Sequence, residues 1–600
     1  MTEKLPHWDL SNVYPGLDSK EFKQDWQDML TQIESLEKFF AEKIMPAGVE
    51  QGAQRLAPLV GDLIDRFNAL SELAWTVNAY IGSFVATDSF NKQAKRLESE
   101  FDTEAVRLQK LNVQASAWIG RIAPLLPEIV AAEPRAKAHA FFLEETARQS
   151  QYLMSEAEEA LAAELMLDGA VAWSKLQGTI TSQMTWDFEL DGQSQPLPMP
   201  ALINLRSHPE EDVRRRAYEA EMAAWKTVEE PLAAAMNGIK GTVNTLDRRR
   251  GRQDALHSAI DLARIDRPTL EAMLAAMHDS FPMFRRYFKA KAQKLGKEKL
   301  AWWDLFAPVG KTASTFTWEQ TRDFILTNFG SFSPELESLA RRAFEHNWID
   351  AEMRPGKRGG AFCMGVPAVK ESRILCNFDG TLDQVSTVAH ELGHAFHNQC
   401  AYAAGKTMLQ QDTPMTLAET ASILCETIVS QAVLKQAASP EEELAVLEGM
   451  LNNASQVIVD IYSRYLFEKE VFERRAQAEL SADELCEIME KAQKETYGDG
   501  LDERYLMKYM WTWKPHYYSA GLSFYNFPYA FGLLFGIGLY AIYQQKGAAF
   551  VPDYINLLAS TGEAPAADLA ARFGIDIRGR KFWDDSLAVI EKQVEHYAAL

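Results

Sequence analysis

The sequence predicts a mainly α-helical protein with one small β-sheet set into it. Three observations carry that prediction. Apolar residues recur at three- and four-residue spacing through most of the chain, the period of an amphipathic helix. Helix breakers are sparse over residues 20–180, chiefly Pro46, Pro58, Pro124 and Pro127. Strand-like patterning is confined to short stretches near 186–200 and 355–380. A chain of 600 residues exceeds what one core normally serves, so it reads as several domains or one large multi-lobed fold. We divide it into an N-terminal helical lobe, 1–185, and a second helical region, 186–600, that holds the small sheet.

The elements follow in order. FKQDWQDMLTQIESLEKFFAEKI and KQAKRLESEFDTEAVRLQKLNVQASAWIGRI are long amphipathic helices. Trp186 to Pro200, with its Asp191-Gly192 pair and three prolines, reads as a short hairpin or an extended crossing. Helices resume to about residue 300. Arg248, Arg249, Arg250 and Arg252 form a basic cluster, either a solvated helix end or a clamp for a substrate carboxylate. Residues 355–380 bring a glycine-rich entry and two β-like runs, Ala361–Met364 and Arg373–Phe378. From Thr381 the chain is helical again, apart from the irregular stretch WKPHYYSAGLSFYNFPY at 513–529.

Charge and cysteine content exclude several function classes. Sixty-two Lys and Arg against 84 Asp and Glu leave a net charge of −22, with no long basic stretch, so nucleic acid and anionic membrane surfaces are not expected partners. The five cysteines, Cys363, Cys376, Cys400, Cys425 and Cys486, show no CxxC spacing. That argues against a disulfide scaffold or a cysteine-built zinc site and suits a reducing compartment. The N-terminus has no basic and apolar regions of a secretory signal. The apolar run Tyr529–Tyr543 follows Pro528 and is shorter than the roughly 20 residues a membrane span needs. It reads as a buried core helix, and the protein as soluble and cytoplasmic.

The chemistry is concentrated in TLDQVSTVAHELGHAFHNQC, Thr381 to Cys400. Thr381 and Gln384 have the spacing of a capping box that starts a helix. His390 and His394 then lie one turn apart on one face, where both imidazoles reach a single ion. Glu391 sits about 100° around the helix from His390, placed to take a proton from a metal-activated water without ligating the metal. His397 is two turns from His390, a rise of ~10.5 Å, too far for one straight helix to bring it to the same ion. The pattern HExxHxxGxxH fails because positions 397 and 400 are His and Cys. A carboxylate from a second helix remains. In DTPMTLAETASILCETIVSQAV, Glu419 lies 25 positions after His394 and Glu426 two helical turns further. We assign Glu419 as third ligand and Glu426 as the acceptor that orients a ligand histidine. Thr416 to Glu419 also has capping-box spacing, and spacing alone leaves room for an acid from another helix.

With these residues in view, the chain resembles the oligoendopeptidase F group of the thimet oligopeptidase-like zinc metallopeptidases. The resemblance rests on HELGHAFH with Glu419 in LAETAS and Glu426 following. It extends to WDLSNVYPG near the start, RILCNFDGTLDQVSTVAHELGH in the middle, and HYY with FYNFPYAFG and ARFGIDIRGRKFWDDSL near the end. It implies a large two-lobed helical fold with a deep central channel. One zinc ion would sit at its floor, with the small sheet beside it. The activity it implies is internal cleavage of unstructured oligopeptides. It also implies that a late glycine-containing loop turns His516, Tyr525 and Tyr529 toward the metal. The group's FYxYxYA pattern reads FYNFPYA here. Phe527 therefore has no phenol, and Tyr525 and Tyr529 share the assignment as oxyanion donor. Gly360, Ala361, Phe362 and Cys363 are expected to bind substrate, as a strand edge pairing with extended peptide. Two rivals remain: a helical metallocarboxypeptidase, which needs a fixed basic anchor for the substrate C-terminus, and a non-catalytic peptide-binding scaffold. The oligomeric state is not legible.

Overall fold

Residues 20–44 show how the helical period becomes structure. Ser19 caps the first helix, Lys20–Phe39, by accepting from the Phe22 N–H at 3.2 Å. Phe22, Met29, Ile33, Leu36 and Phe39 form its buried stripe, and the helix widens into a π turn over Phe40–Ile44. The computed structural model describes residues 4–190, 192–310, 315–437 and 439–600. It is 74% helical, as the apolar period predicts. Pro58 does not act as a breaker: Ala53–Thr87 runs through it as one helix, which forgoes the one i→i−4 bond that position would have made. Pro124 and Pro127 sit within the first two positions of helical turns, where no N–H is required.

The chain divides into two compact units, each gathered from separated stretches. The first comprises residues 1–152, 314–432 and 542–574. Its sheet has the order Ile349–Asp350, Glu371–Leu375, Phe362–Val366, with the first pair parallel and the second antiparallel. The strands are offset from the expected runs. Lys370 adopts a left-handed φ of 51° in the connecting turn, which sets Val366 opposite Glu371. Beyond Leu375 the chain leaves the hairpin, and the Cys376 and Phe378 N–H groups donate to the Asp350 and Ala351 carbonyls. Phe362–Val366 is thus the longer of the two outer strands, and Trp75 donates its indole N–H to the Gly365 carbonyl at 3.1 Å.

The helix Leu382–Ala403 docks on this sheet, with Asn398 Nδ2 donating to Ser372 Oγ at 3.1 Å. Thr381 caps it by accepting from the Gln384 N–H at 3.4 Å, but the reciprocal arm of the expected capping box is absent. Asp379 Oδ1 already takes the Thr381 N–H at 2.9 Å and hydroxyl at 2.6 Å, and Gln384 Oε1 is buried without a partner.

The second unit comprises residues 153–313, 433–541 and 575–600. Thr185–Leu190 and Gln193–Pro198 form the expected hairpin, with Leu190 opposite Gln193 and Gly192 at φ 75°; Asp191 lies outside the described residues. The helix Arg267–Lys294 packs along Arg580–Ala599. Between them Glu448 accepts from Tyr287 at 2.9 Å, Tyr597 at 2.6 Å and Lys291 Nζ at 2.5 Å. The arginine cluster ends the helix Glu229–Arg249 and is met by the protein's own acids. Arg250 makes a two-pronged bond to Glu159 at 2.9 and 2.6 Å, Arg252 pairs with Asp261, and Arg249 reaches Glu158 at 3.5 Å. Three of the four arginines are thus ion-paired within the protein at this helix end.

The apolar run after Pro528 is longer than the sequence suggested. By length and composition two stretches of the described residues match a membrane span, Met415–Gln436 and Phe527–Ala559. The length argument therefore fails, but 78% of the apolar window in Phe527–Ala559 is buried, as in a core helix.

Candidate metal centre and active site

Helix period and one close approach build the metal cluster in the first unit. His390 and His394 project side by side, ring centroids 5.0 Å apart. Glycine at 393 lets the next helix, Thr420–Gln436, come close: a Cβ there would lie 2.5 Å from Ser422 Cα and 2.7 Å from the Ala421 carbonyl oxygen. Glu419, at the joint between the helical turn Met415–Ala418 and that helix, is carried to the imidazoles. Its Oε2 stands 3.2 Å from His390 Nε2 and 3.4 Å from His394 Nε2. It also accepts from Ser422 Oγ at 2.6 Å, so its carboxylate serves the imidazole pair and not a helix cap. Glu426 Oε2 accepts from His390 Nδ1 at 3.1 Å, the bond that orients a ligand imidazole.

The donor set fits a metal ion. One atom each from His390, His394 and Glu419 lie within 4.8 Å of one another. Two ligands bound tetrahedrally at 2.0–2.2 Å stand roughly 3.3–3.5 Å apart, and the two histidine–carboxylate separations match that spacing. Two imidazoles and a carboxylate suit zinc and related divalent ions. His397 is elsewhere engaged: buried, its Nε2 meets Thr561 Oγ1 at 2.8 Å.

The electrostatics follow from burial and these contacts. Burial disfavours charge on His390, but hydrogen bonds with Glu419 and Glu426 outweigh it and raise the imidazole to about 10. His394, also bonded to the Ala418 backbone, is pushed down to about 4 chiefly by burial. Burial opposes the Glu419 charge, yet its histidine partners hold it at about 2. Glu391 is lifted by burial to about 7, and its Oε2 is buried with no partner. Burial raises the Cys363 thiol, with the Glu391 charge adding to the effect, which places the outer strand beside that carboxylate. Along this edge Gly360 is exposed at φ 81°, and Ala361, Phe362 and Cys363 are half-buried. Asn377 Nδ2 ties the strand's entry by donating to the Arg358 and Gly360 carbonyls at 3.1 and 2.9 Å.

His516, Tyr525 and Tyr529 come together in the second unit. The His516 ring lies 5.6 Å from that of Tyr525, and the Tyr525 and Tyr529 hydroxyls share a hydrogen bond of 2.7 Å. His516 Nε2 is buried without a partner. Burial, then repulsion from Arg464, Lys514 and Lys240, pushes this imidazole down to about 3, so it is neutral near pH 7. Phe527 is buried at 2% exposure, and the phenol missing from the pattern is replaced by core packing. The loop is held by Glu468, which pairs with Lys240 at 2.6 Å and accepts from the Phe524 N–H at 3.0 Å; Phe524 takes a φ of 53°.

The sequence reading missed three supports. Ser422 follows Glu419 by one helical turn, a spacing that could have flagged it. Gly393 was visible only as part of the motif, and the Glu468 anchor joins residues too distant in sequence to leave a local signal.

A His-His-Glu cluster on helices with an adjacent buried glutamate is the arrangement that one class of metallopeptidases uses. The family model of peptidase family M3 matches residues 204–589 and that of oligopeptidase F matches 125–186; the chain belongs to peptidase family M3, a family of zinc metallopeptidases that act as oligopeptidases. It is 22% identical over 632 residues to an oligoendopeptidase F homolog of Lactococcus lactis, covering 100% of this chain and 98% of that protein. Among solved structures it is similar to a peptidase from Chlamydophila abortus, with a TM-score of 0.85, 18% identity and coverage of 99% and 98% of the two chains. The oligoendopeptidase F of Enterococcus faecium aligns with a TM-score of 0.66, 17% identity and coverage of 96% and 98%.

Proposed function

We propose that this chain is a cytoplasmic, zinc-dependent endopeptidase that cuts short unstructured oligopeptides at internal bonds. The observation that supports it most directly is the Glu419 carboxylate oxygen at 3.2 and 3.4 Å from both imidazoles, with the unpartnered Glu391 carboxylate alongside. His390, His394 and Glu419 hold the ion. When bound, zinc supplies Lewis-acid polarisation and a water acidified toward neutral pH. Glu391 accepts the proton of the attacking water and returns it to the leaving amine. Glu426 keeps His390 Nδ1 protonated and the ring oriented. The role that the family resemblance implies for His516, with Tyr525 or Tyr529, is donation to the oxyanion of the tetrahedral intermediate. The outer strand Phe362–Val366, entered through Gly360 and Ala361, pairs with extended peptide backbone, a mode that reads no side chain.

The test is a peptide mixture digested with and without a chelator and read by mass spectrometry. Internal cleavage of peptides blocked at both ends, abolished by the chelator and restored by zinc, is the expected result. Release of C-terminal residues alone, or cleavage indifferent to the chelator, contradicts the proposal.

A further inference from the structure

The segment carrying His516 also carries positive charge that the chemistry above leaves unused. Three cations of the second unit influence one another there: Arg206, Arg464 and Lys514. Arg464 is paired with Asp460 one helical turn back, yet its Nε is buried with no acceptor. Half-buried Arg206 makes no hydrogen bond or ion pair among the described residues. Its guanidinium lies 4.3 Å over the Phe306 ring and 6.0 Å from the centre of the Trp513 ring. Lys514 Nζ stands 4.0 Å over the same Trp513 ring and likewise makes no ion pair among the described residues. The indole they share has its own buried donor, Nε1, without an acceptor.

The anions facing this group are too few. Asp460 is committed to Arg464 and to the Tyr497 hydroxyl at 3.2 Å. Glu221 is buried and accepts from Trp225 Nε1 at 3.1 Å. Burial lifts its carboxyl to about 7, while burial and then repulsion from Arg464 push Lys514 down to about 7. The repulsion from Arg464 and Arg206 on Lys514 is what an added anion would relieve. Crowded, half-desolvated cations with unmet donors are stabilised by an anion, and a planar carboxylate suits the guanidinium fork and the indole N–H.

We propose that Arg206, Lys514 and Trp513 Nε1, backed by Arg464, bind a carboxylate of the peptide substrate. The inference rests on the oligopeptidase reading and deepens it: the enzyme prefers peptides that present a carboxylate near the His516 segment. That carboxylate is the free C-terminus or an acidic side chain.

The test uses metal-loaded Glu391→Gln protein, so that binding is measured without turnover. Calorimetry compares three versions of one peptide: the free acid, the C-terminal amide, and the amide with an internal Glu in place of Gln. The acid is expected to bind about tenfold more tightly than the amide. Arg206→Gln and Lys514→Met, each added to the Glu391→Gln background, should bring that ratio close to one. Arg504→Gln, which removes an exposed arginine paired with Asp502 at 2.6 Å, should leave the ratio intact. If the Glu-containing amide recovers the tight binding and loses it in Arg206→Gln, the site stands with an acidic side chain as its ligand. Equal binding of all three peptides, or a preference surviving both Arg206→Gln and Lys514→Met, overturns the proposal. Cleavage of the doubly blocked peptide by the parent enzyme is a separate measurement, so either idea can fall alone.

Discussion

The His390–His394–Glu419 cluster and the His516–Tyr525–Tyr529 cluster are built by opposite means. The first is assembled from two regular helices, and its geometry follows from helix period plus the close approach that Gly393 allows. The second spans a 3₁₀ turn at Pro515–Tyr518, an irregular loop and the first turn of the helix Phe527–Lys546; in the loop Phe524 holds a left-handed φ and a buried Lys240–Glu468 pair takes its N–H. The metal cluster is therefore fixed by local rules, whereas the aromatic cluster depends on an ion pair contributed from distant sequence. Damage to the first should abolish chemistry at constant stability, and damage to the second should cost both.

The largest effect tests the first half of that contrast. Glu391→Gln keeps the helix and the three ligands, so metal content by elemental analysis should be unchanged while kcat falls by about 10⁴-fold. Near-normal turnover would remove Glu391 from its role as base. Next comes the anchor of the second cluster. Glu468→Gln leaves the Lys240 ammonium buried without its counter-charge, so stability should fall by about 3–5 kcal/mol, read as a lower denaturant midpoint. An unchanged midpoint would mean the loop stands without that pair.

Smaller again are Tyr525→Phe and Tyr529→Phe. The hydroxyl that meets the transition state should cost about 10²-fold in kcat with little change in KM, and its neighbour much less. A loss confined to KM for both would assign the pair to substrate binding.

The last effect is read in the pH dependence of stability. His516 has an ordinary value of 6.5 and is held at about 3 in the fold. Between those values the unfolded chain binds a proton that the folded chain excludes, so stability rises with pH across this window and is lost as pH falls through it. Thermal melts of His516→Gln between about pH 4 and 6.5 should show a shallower pH slope than the parent. Parallel slopes would place the imidazole in a more polar setting.

The same contrast explains what could be read from the sequence. His390, Glu391, His394 and the helix beneath them were legible because i and i+4 share a face whatever the rest of the chain does. Glu419 and Glu426 were legible as candidates because they share a face of the following helix, but only the packing at Gly393 selects Glu419 over a capping role. The hairpin around Gly192 declared itself through its turn. The strand offset, by contrast, depends on Lys370 adopting a left-handed conformation that its side chain does not advertise. The arginines at 248–252 looked available until Glu158, Glu159 and Asp261 were placed beside them. His516, Tyr525 and Tyr529 were nominated through a family resemblance; the physics that gathers them is non-local and leaves no period to read.

The central claim is that His390, His394 and Glu419 clasp one cation. Anomalous diffraction at the zinc edge, on crystals of dialysed protein, tests it most directly. The account predicts a single peak about 2.0–2.2 Å from one nitrogen of each histidine and one oxygen of Glu419, absent from Glu419→Ala crystals. No peak between the imidazoles, or one that survives loss of the Glu419 carboxylate, would contradict it.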